Sequence, residues 1–294
     1  MAVRLEGALS LEDLSPEWAW GGATGEGVRV AVVDSGVEAD HPALEGCVEV
    51  DKGVAVKAGE DGADPTIEEG PHGDAFGHGT ACAGIIHSLA PEARVTSVRV
   101  LGERLSGTSA VFLRGLAWAV ENGFEVINLS LGTTKRDWAL AFYEVCDRAY
   151  FGNSLLVTAA NNVMRQSYPS LYASVLSVAC NMSDDPRRFH FNPEPPTEFL
   201  AHGIDVDVAW KGGSRMTSTG NSYAAPHISG MAALIRSKHP ELRPFQVKTV
   251  LWATAANVVE APRAAGRLSM AMRAAPMSPR ATSALTLGPA LRRP

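Results

Sequence analysis

Val33-Asp34-Ser35-Gly36, Gly77-His78-Gly79-Thr80 and Gly220-Asn221-Ser222-Tyr223-Ala224-Ala225-Pro226 set a carboxylate, an imidazole and a hydroxyl in that order along a chain of 294 residues. A serine hydroxyl is a weak nucleophile at its free pKa. It gains hydrolytic power when an imidazole takes its proton and a carboxylate holds the imidazole. Asp34 closes an apolar, β-branched run, Val28–Val33. Arg94–Val100, Glu125–Leu129, Leu155–Thr158 and Val175–Ala179 are further runs of this kind, predicted to be buried strands, and helical-period segments such as Thr108–Asn122 separate several of them. Strands alternating with helices predict an α/β fold: a mostly parallel central sheet with helices on both faces and ligands beyond the carboxyl ends of the strands. Asp34, Ser130 and Asn162 each stand at or just after such an end, and are expected on one rim.

Singly, each residue has a structural explanation. Asp34 suits a strand-end cap, His78 a loop, and Ser222 the N-cap of the helix that follows. Their joint occurrence points to catalysis instead. Pro226 is expected in the first helical turn, where backbone donors lack partners, and those donors favour negative charge beside Ser222.

The joint order of the motifs resembles that of the subtilisin-like serine proteases, the subtilases. Asp40-His41-Pro42-Ala43-Leu44, Val98-Arg99-Val100-Leu101-Gly102, Val126-Ile127-Asn128-Leu129-Ser130-Leu131-Gly132 and Val157-Thr158-Ala159-Ala160-Asn161-Asn162 agree, and the resemblance runs from about Gly25 to Ala275. It implies a subtilisin-like fold and an endopeptidase in which Ser222 attacks, His78 shuttles the proton and Asp34 orients His78. Asn162 and the Ser222 N–H would stabilise the oxyanion. It also implies an extended peptide held between Ser130-Leu131-Gly132 and the segment around Gly102, with Ala159, Ala160 and Asn161 beside the P1 pocket. Asn161 stands where the family carries glycine, which bears on the backbone path if it requires positive φ, and on the width of that pocket. Arg165, in a short following loop, is expected to be solvated.

A processing protease with few substrates is the expected role. Acyl transfer to an amine in a peptide natural-product pathway and a catalytically silent binding module are the alternatives. Many secreted members bind calcium through an aspartate where this chain has Ala43, and through a loop after the histidine helix, whereas this chain passes from Ile85-Ile86-His87-Ser88 straight to Leu89-Ala90-Pro91. A hard cation needs six to eight oxygens, so no calcium site of that kind, and no cofactor, is expected.

With 46% hydrophobic and 20% charged residues the chain can bury a large core. One catalytic domain over residues 1–275 is expected, followed by a flexible tail, 276–294, rich in proline and arginine. Gly266–Ala271 resembles the family's closing helix. Net charge is −6, but Arg263, Arg267, Arg273, Arg280, Arg292 and Arg293 follow the last acid, Glu260, leaving 20 basic against 32 acidic residues before it. No basic patch with interleaved aromatics suggests nucleic acid. No membrane-length apolar segment occurs, and Glu6, Glu12, Asp13 and Glu17 interrupt the start, so a cytoplasmic enzyme acting on peptide or protein is expected, with a secreted mature form as the alternative. Oligomeric state is left open. Cys47, Cys82, Cys146 and Cys180 lack metal-like spacing and are expected as free thiols. Cys82, four residues after His78, is expected as a small core residue.

Overall fold

The computed structural model describes residues 13–260 apart from Met164. Nine strands form one sheet: β1 (Arg29–Asp34), β2 (Val54–Lys57), β3 (Thr66–Glu69), β4 (Arg94–Arg99), β5 (Val126–Leu129), β6 (Leu155–Ala159), β7 (Leu176–Asn181), β8 (His190–Phe191) and β9 (Phe199–His202). Their order is β3-β2-β4-β1-β5-β6-β7-β9-β8. Every pairing from β2 to β9 is parallel, and only the outermost pairs, β2 with β3 and β9 with β8, are antiparallel. β10 (Val206–Trp210) and β11 (Ser214–Ser218) form a separate antiparallel pair. The helices are α1 (Pro16–Trp20), α2 (His78–Leu89), α3 (Ser109–Glu121), α4 (Ala139–Phe151), α5 (Asn221–Lys238), α6 (Pro244–Thr254) and α7 (Ala256–Val259).

Side chains alternate across a strand, and β1 shows what that does here. Val30 and Val32 join one core with Cys82 and Ile86 of α2 and with Ile228 and Met231 of α5. Ala31 and Val33 join the other, with Phe112 and Leu116 of α3 and Phe142 and Val145 of α4. A strand buried on both faces has no polar alternation, which is why the run Val28–Val33 is apolar throughout. α5 is buried nearly all round, from Asn221 to Arg236, as a helix between a sheet and other helices must be.

The five anticipated strands are β1, β4, β5, β6 and β7, and the segment Thr108–Asn122 becomes α3, with Thr108 as its N-cap accepting from the Val111 N–H. The expected boundary at 275/276, the tail and the segment Gly266–Ala271 lie outside the described residues. Among the described residues, no helix is long and apolar enough to cross a membrane, and the four cysteines are free, with Cys180 half-buried and the others buried.

Candidate active site

Asp34 ends β1, fully buried, and His78 opens α2. His78 Nδ1 lies 2.8 Å from Asp34 Oδ1 and 2.9 Å from Oδ2, so the Nδ1–H donates to the carboxylate and Nε2 is left to accept. The Ser35 N–H donates to Asp34 Oδ1 at 2.7 Å and fixes the carboxylate in turn. Burial alone pulls the His78 pKa down. The Asp34 charge, followed by smaller contributions from Cys82 and the Asp34 hydrogen bonds, outweighs it and lifts the imidazole well above its ordinary 6.5.

Ser222 sits in the first turn of α5, where by position its N–H has no intrahelical partner. Cys82 ties it to the pair: the sulfur is 3.9 Å from Asp34 Oδ2, 4.0 Å from His78 Nδ1 and 3.6 Å from the Ser222 carbonyl. Burial pushes the Cys82 thiol up, so it remains a protonated, weak donor. Pro226 does not stand where the sequence led us to expect it. Because α5 begins at Asn221, Pro226 falls in its second turn rather than its first. Its missing N–H would have bonded the Ser222 carbonyl. The Ser130 hydroxyl donates to that carbonyl instead, at 2.8 Å, and is itself held by Asn128 Nδ2 at 3.1 Å.

Asn162, after β6, accepts the Asn221 N–H on Oδ1 at 2.9 Å. That bond fixes the amide's orientation and leaves Nδ2 without a partner among the described residues. A Cβ placed on Gly220 would lie 3.3 Å from Ser222 Oγ and 3.8 Å from Asn162 Nδ2, so both groups border that glycine. Asn221 clamps the same loop: its Nδ2 donates to the Ala160 and Asn161 carbonyls, and its Oδ1 accepts the Cys180 N–H. Asn161 does not adopt positive φ. Its side chain accepts the Val163 N–H at 3.1 Å, so the departure from glycine imposes no left-handed backbone. Arg165 is exposed.

Ser130, Leu131 and Gly132 follow β5, and Thr133 exchanges both main-chain hydrogen bonds with Tyr168. A Cβ on Gly132 would stand 3.5 Å from Ser167 Oγ, so buried Ser167 closes that side. Across the sheet, the Val100 and Leu101 N–H groups both donate to the Asp34 carbonyl, and Gly102 turns back through Ser106. Gly102 also borders a cavity of about 360 Å³ lined by Val56, Val100, Val111 and Arg99. Sequence reasoning gave no role to Asn221, to Asn128, which holds Ser130, or to Asp74, whose carboxylate accepts the Gly77 and Thr80 N–H groups at the start of α2. Asp74 was legible as an acid shortly before a helix start.

A sheet of parallel strands between two helical layers, with an Asp–His pair and a helix-borne serine at its carboxyl edge, defines the subtilisin-like fold class. The chain belongs to the subtilase family, whose model matches residues 25–269. It is 34% identical over 238 residues to a thermostable alkaline protease of Halalkalibacterium halodurans and 32% identical over 249 residues to subtilisin E of Bacillus subtilis, covering 77% and 80% of this chain and 62% of each relative. Its fold is similar to that of a cold-adapted subtilisin-like serine proteinase (TM-score 0.63, 26% identity, 78% of this chain and 82% of that one). It is similar also to sphericase (TM-score 0.65, 26% identity, 78% and 83%).

Ala43 lies in a short turn, Pro42–Leu44, whose N–H is taken by His41 Nδ1, and α2 runs unbroken to Leu89. Among the described residues, the cluster of three metal-capable side chains is Asp34, His78 and Cys82, a donor set that suits softer metals than calcium. Melting curves in chelator and in millimolar calcium are therefore expected to superimpose. A metal present at a hundred times its dissociation constant would add about 2.7 kcal/mol, so a rise of several degrees would reveal an oxygen-rich calcium site elsewhere on the protein.

Proposed function

We propose that the chain is a serine endopeptidase that hydrolyses peptide bonds through an acyl-enzyme on Ser222. The observation that carries this is the bifurcated hydrogen bond of His78 Nδ1–H to both oxygens of buried Asp34, in the same packed cluster as the α5 turn bearing Ser222. Ser222 Oγ attacks the scissile carbonyl while His78 Nε2 takes its proton. Asp34 holds the tautomer and stabilises the imidazolium that forms. Negative charge on the carbonyl oxygen is met by Asn162 Nδ2 and the Ser222 N–H, whose position is set by the Ser130 bond to its own carbonyl. His78 then protonates the leaving amine, and water releases the acid.

Peptide backbone would run between Ser130–Gly132 and the segment at Gly102, with Ala159, Ala160 and Asn161 bordering the P1 pocket. Ser167 packed against Gly132 restricts that side of the groove, which supports a processing role with few substrates. Mass spectrometry of products from a peptide library tests the reading. Internal cleavage at a restricted set of bonds is expected. Amine-ligated or cyclic products would move it to acyl transfer, and no reaction from folded protein would leave a binding module.

The pH dependence follows from His78. Only its neutral form accepts the serine proton, and its pKa is raised, so activity is present above that value and lost as pH falls through it. The acid limb of kcat/KM is expected to have its midpoint above 6.5, the ordinary imidazole value. A midpoint at or below 6.5 would mean that Asp34 does not dominate the imidazole.

A further inference from the structure

The helix carrying His78 starts without a capping side chain of its own. Its N-cap is Gly77, at φ 122°, and a Cβ there would lie 2.7 Å from the Trp210 ring. The unpaired donors of the first turn are met from outside the helix. Asp74 Oδ2 accepts the Thr80 N–H at 2.8 Å and the Thr80 hydroxyl at 2.6 Å. Asp74 Oδ1 accepts the Phe76 and Gly77 N–H groups at 2.9 and 2.7 Å, and the Ser35 hydroxyl at 2.7 Å. Ser35 Oγ in turn accepts the Gly79 N–H at 3.0 Å.

Ser35 directly follows Asp34, and both it and Asp74 are buried. The first turn of α2 is thus fastened to the end of β1 through a single carboxylate. Close approach is built in: a Cβ on Gly79 would fall 2.0 Å from the Gly36 carbonyl oxygen and 3.2 Å from Asp34 Cβ. The loop itself is pinned by the Ala75 N–H on the Ser35 carbonyl and by Arg99 Nη1 on the Gly73 carbonyl.

We propose that Asp74, acting with Ser35, is a positioning residue that sets the approach of His78 to Asp34. Hydrogen bonds to a carboxylate are roughly twice as strong as neutral ones, and five donors converge on this one. Asp74→Asn turns one acceptor oxygen into a donor that faces other donors. The helix start then moves relative to β1, and His78 with it.

The test is the His78 titration, followed by NMR, alongside kcat and KM normalised to active sites by burst titration. Only the kinetic arm rests on the peptidase reading. The titratable groups against the ring are Asp34, Cys82 and, from α5, the phenol of Tyr223, whose ring centroid is 5.4 Å from that of His78. Asp74→Asn is expected to lower the His78 midpoint by at least about half a unit and kcat per site by about ten- to a hundredfold, with KM little changed. Removing the Asp74 charge also lowers the midpoint, so Ser35→Ala, which alters no charge, decides. It should shift both quantities in the same direction by less. A Ser35→Ala protein with wild-type midpoint and wild-type kcat per site, lowered only in Tm, would overturn the proposal. Shifted midpoints in a protein whose parent cleaves no peptide would uphold the positioning role and remove the peptidase reading.

Discussion

Ser222→Ala is expected to lower peptidase turnover by about a million-fold while leaving the fold intact. The size follows from chemistry: without the hydroxyl there is no acyl-enzyme, and His78 has nothing to deprotonate. What remains is the oxyanion stabilisation and substrate binding, enough to hold activity above that of water. The fold survives because Ser222 serves the packing through its carbonyl, which Ser130 and Cys82 hold, and alanine keeps that carbonyl. Turnover with a cleavable peptide, measured beside circular dichroism and Tm, checks both halves. Near wild-type turnover would refute the nucleophile.

Asn162 is expected to matter through kcat. Removing one preorganised oxyanion donor costs about a hundred- to a thousandfold, so Asn162→Ala should lower kcat by that factor with KM little changed. Alanine also deletes the acceptor for the Asn221 N–H, which anchors the start of α5. Asn162→Asp keeps an oxygen for that N–H and places a second oxygen where the donor stood, so it separates the two roles. Both variants should lose kcat, and the aspartate should keep wild-type Tm. Asn161→Ala should do little, since its side chain turns back to the Val163 N–H. The opposite pattern, loss at 161 and none at 162, would shift the assignment by one residue.

Sequence alone placed the central strands well because β1, β4, β5, β6 and β7 are largely covered and therefore read as unbroken apolar runs. β10 and β11 escaped: β11 is polar and largely exposed, and its identity comes from pairing with β10 rather than from its own residues. Asp34 and His78 were legible as motif members, but the contact between them spans 44 residues of chain and exists only through tertiary approach. Asp74 could be seen as an acid shortly before a helix start, but its link to Ser35, 39 residues away, exists only through tertiary approach. Pro226 was assigned to the wrong turn because the helix start was placed too late in the sequence, and the structure shows that its missing N–H is answered by Ser130. Asn161 illustrates the opposite limit: a glycine replaced in a motif suggests backbone strain, whereas the chain passes through that position without positive φ.

The proposed chemistry requires Ser222 to be an activated nucleophile, and covalent labelling of the wild-type protein reads that directly. After reaction with a fluorophosphonate, peptide mapping by mass spectrometry should find one stoichiometric adduct, on Ser222, forming faster as pH rises through the His78 titration. Unmodified Ser222 in folded protein above that midpoint, or an adduct on another serine, would contradict the account.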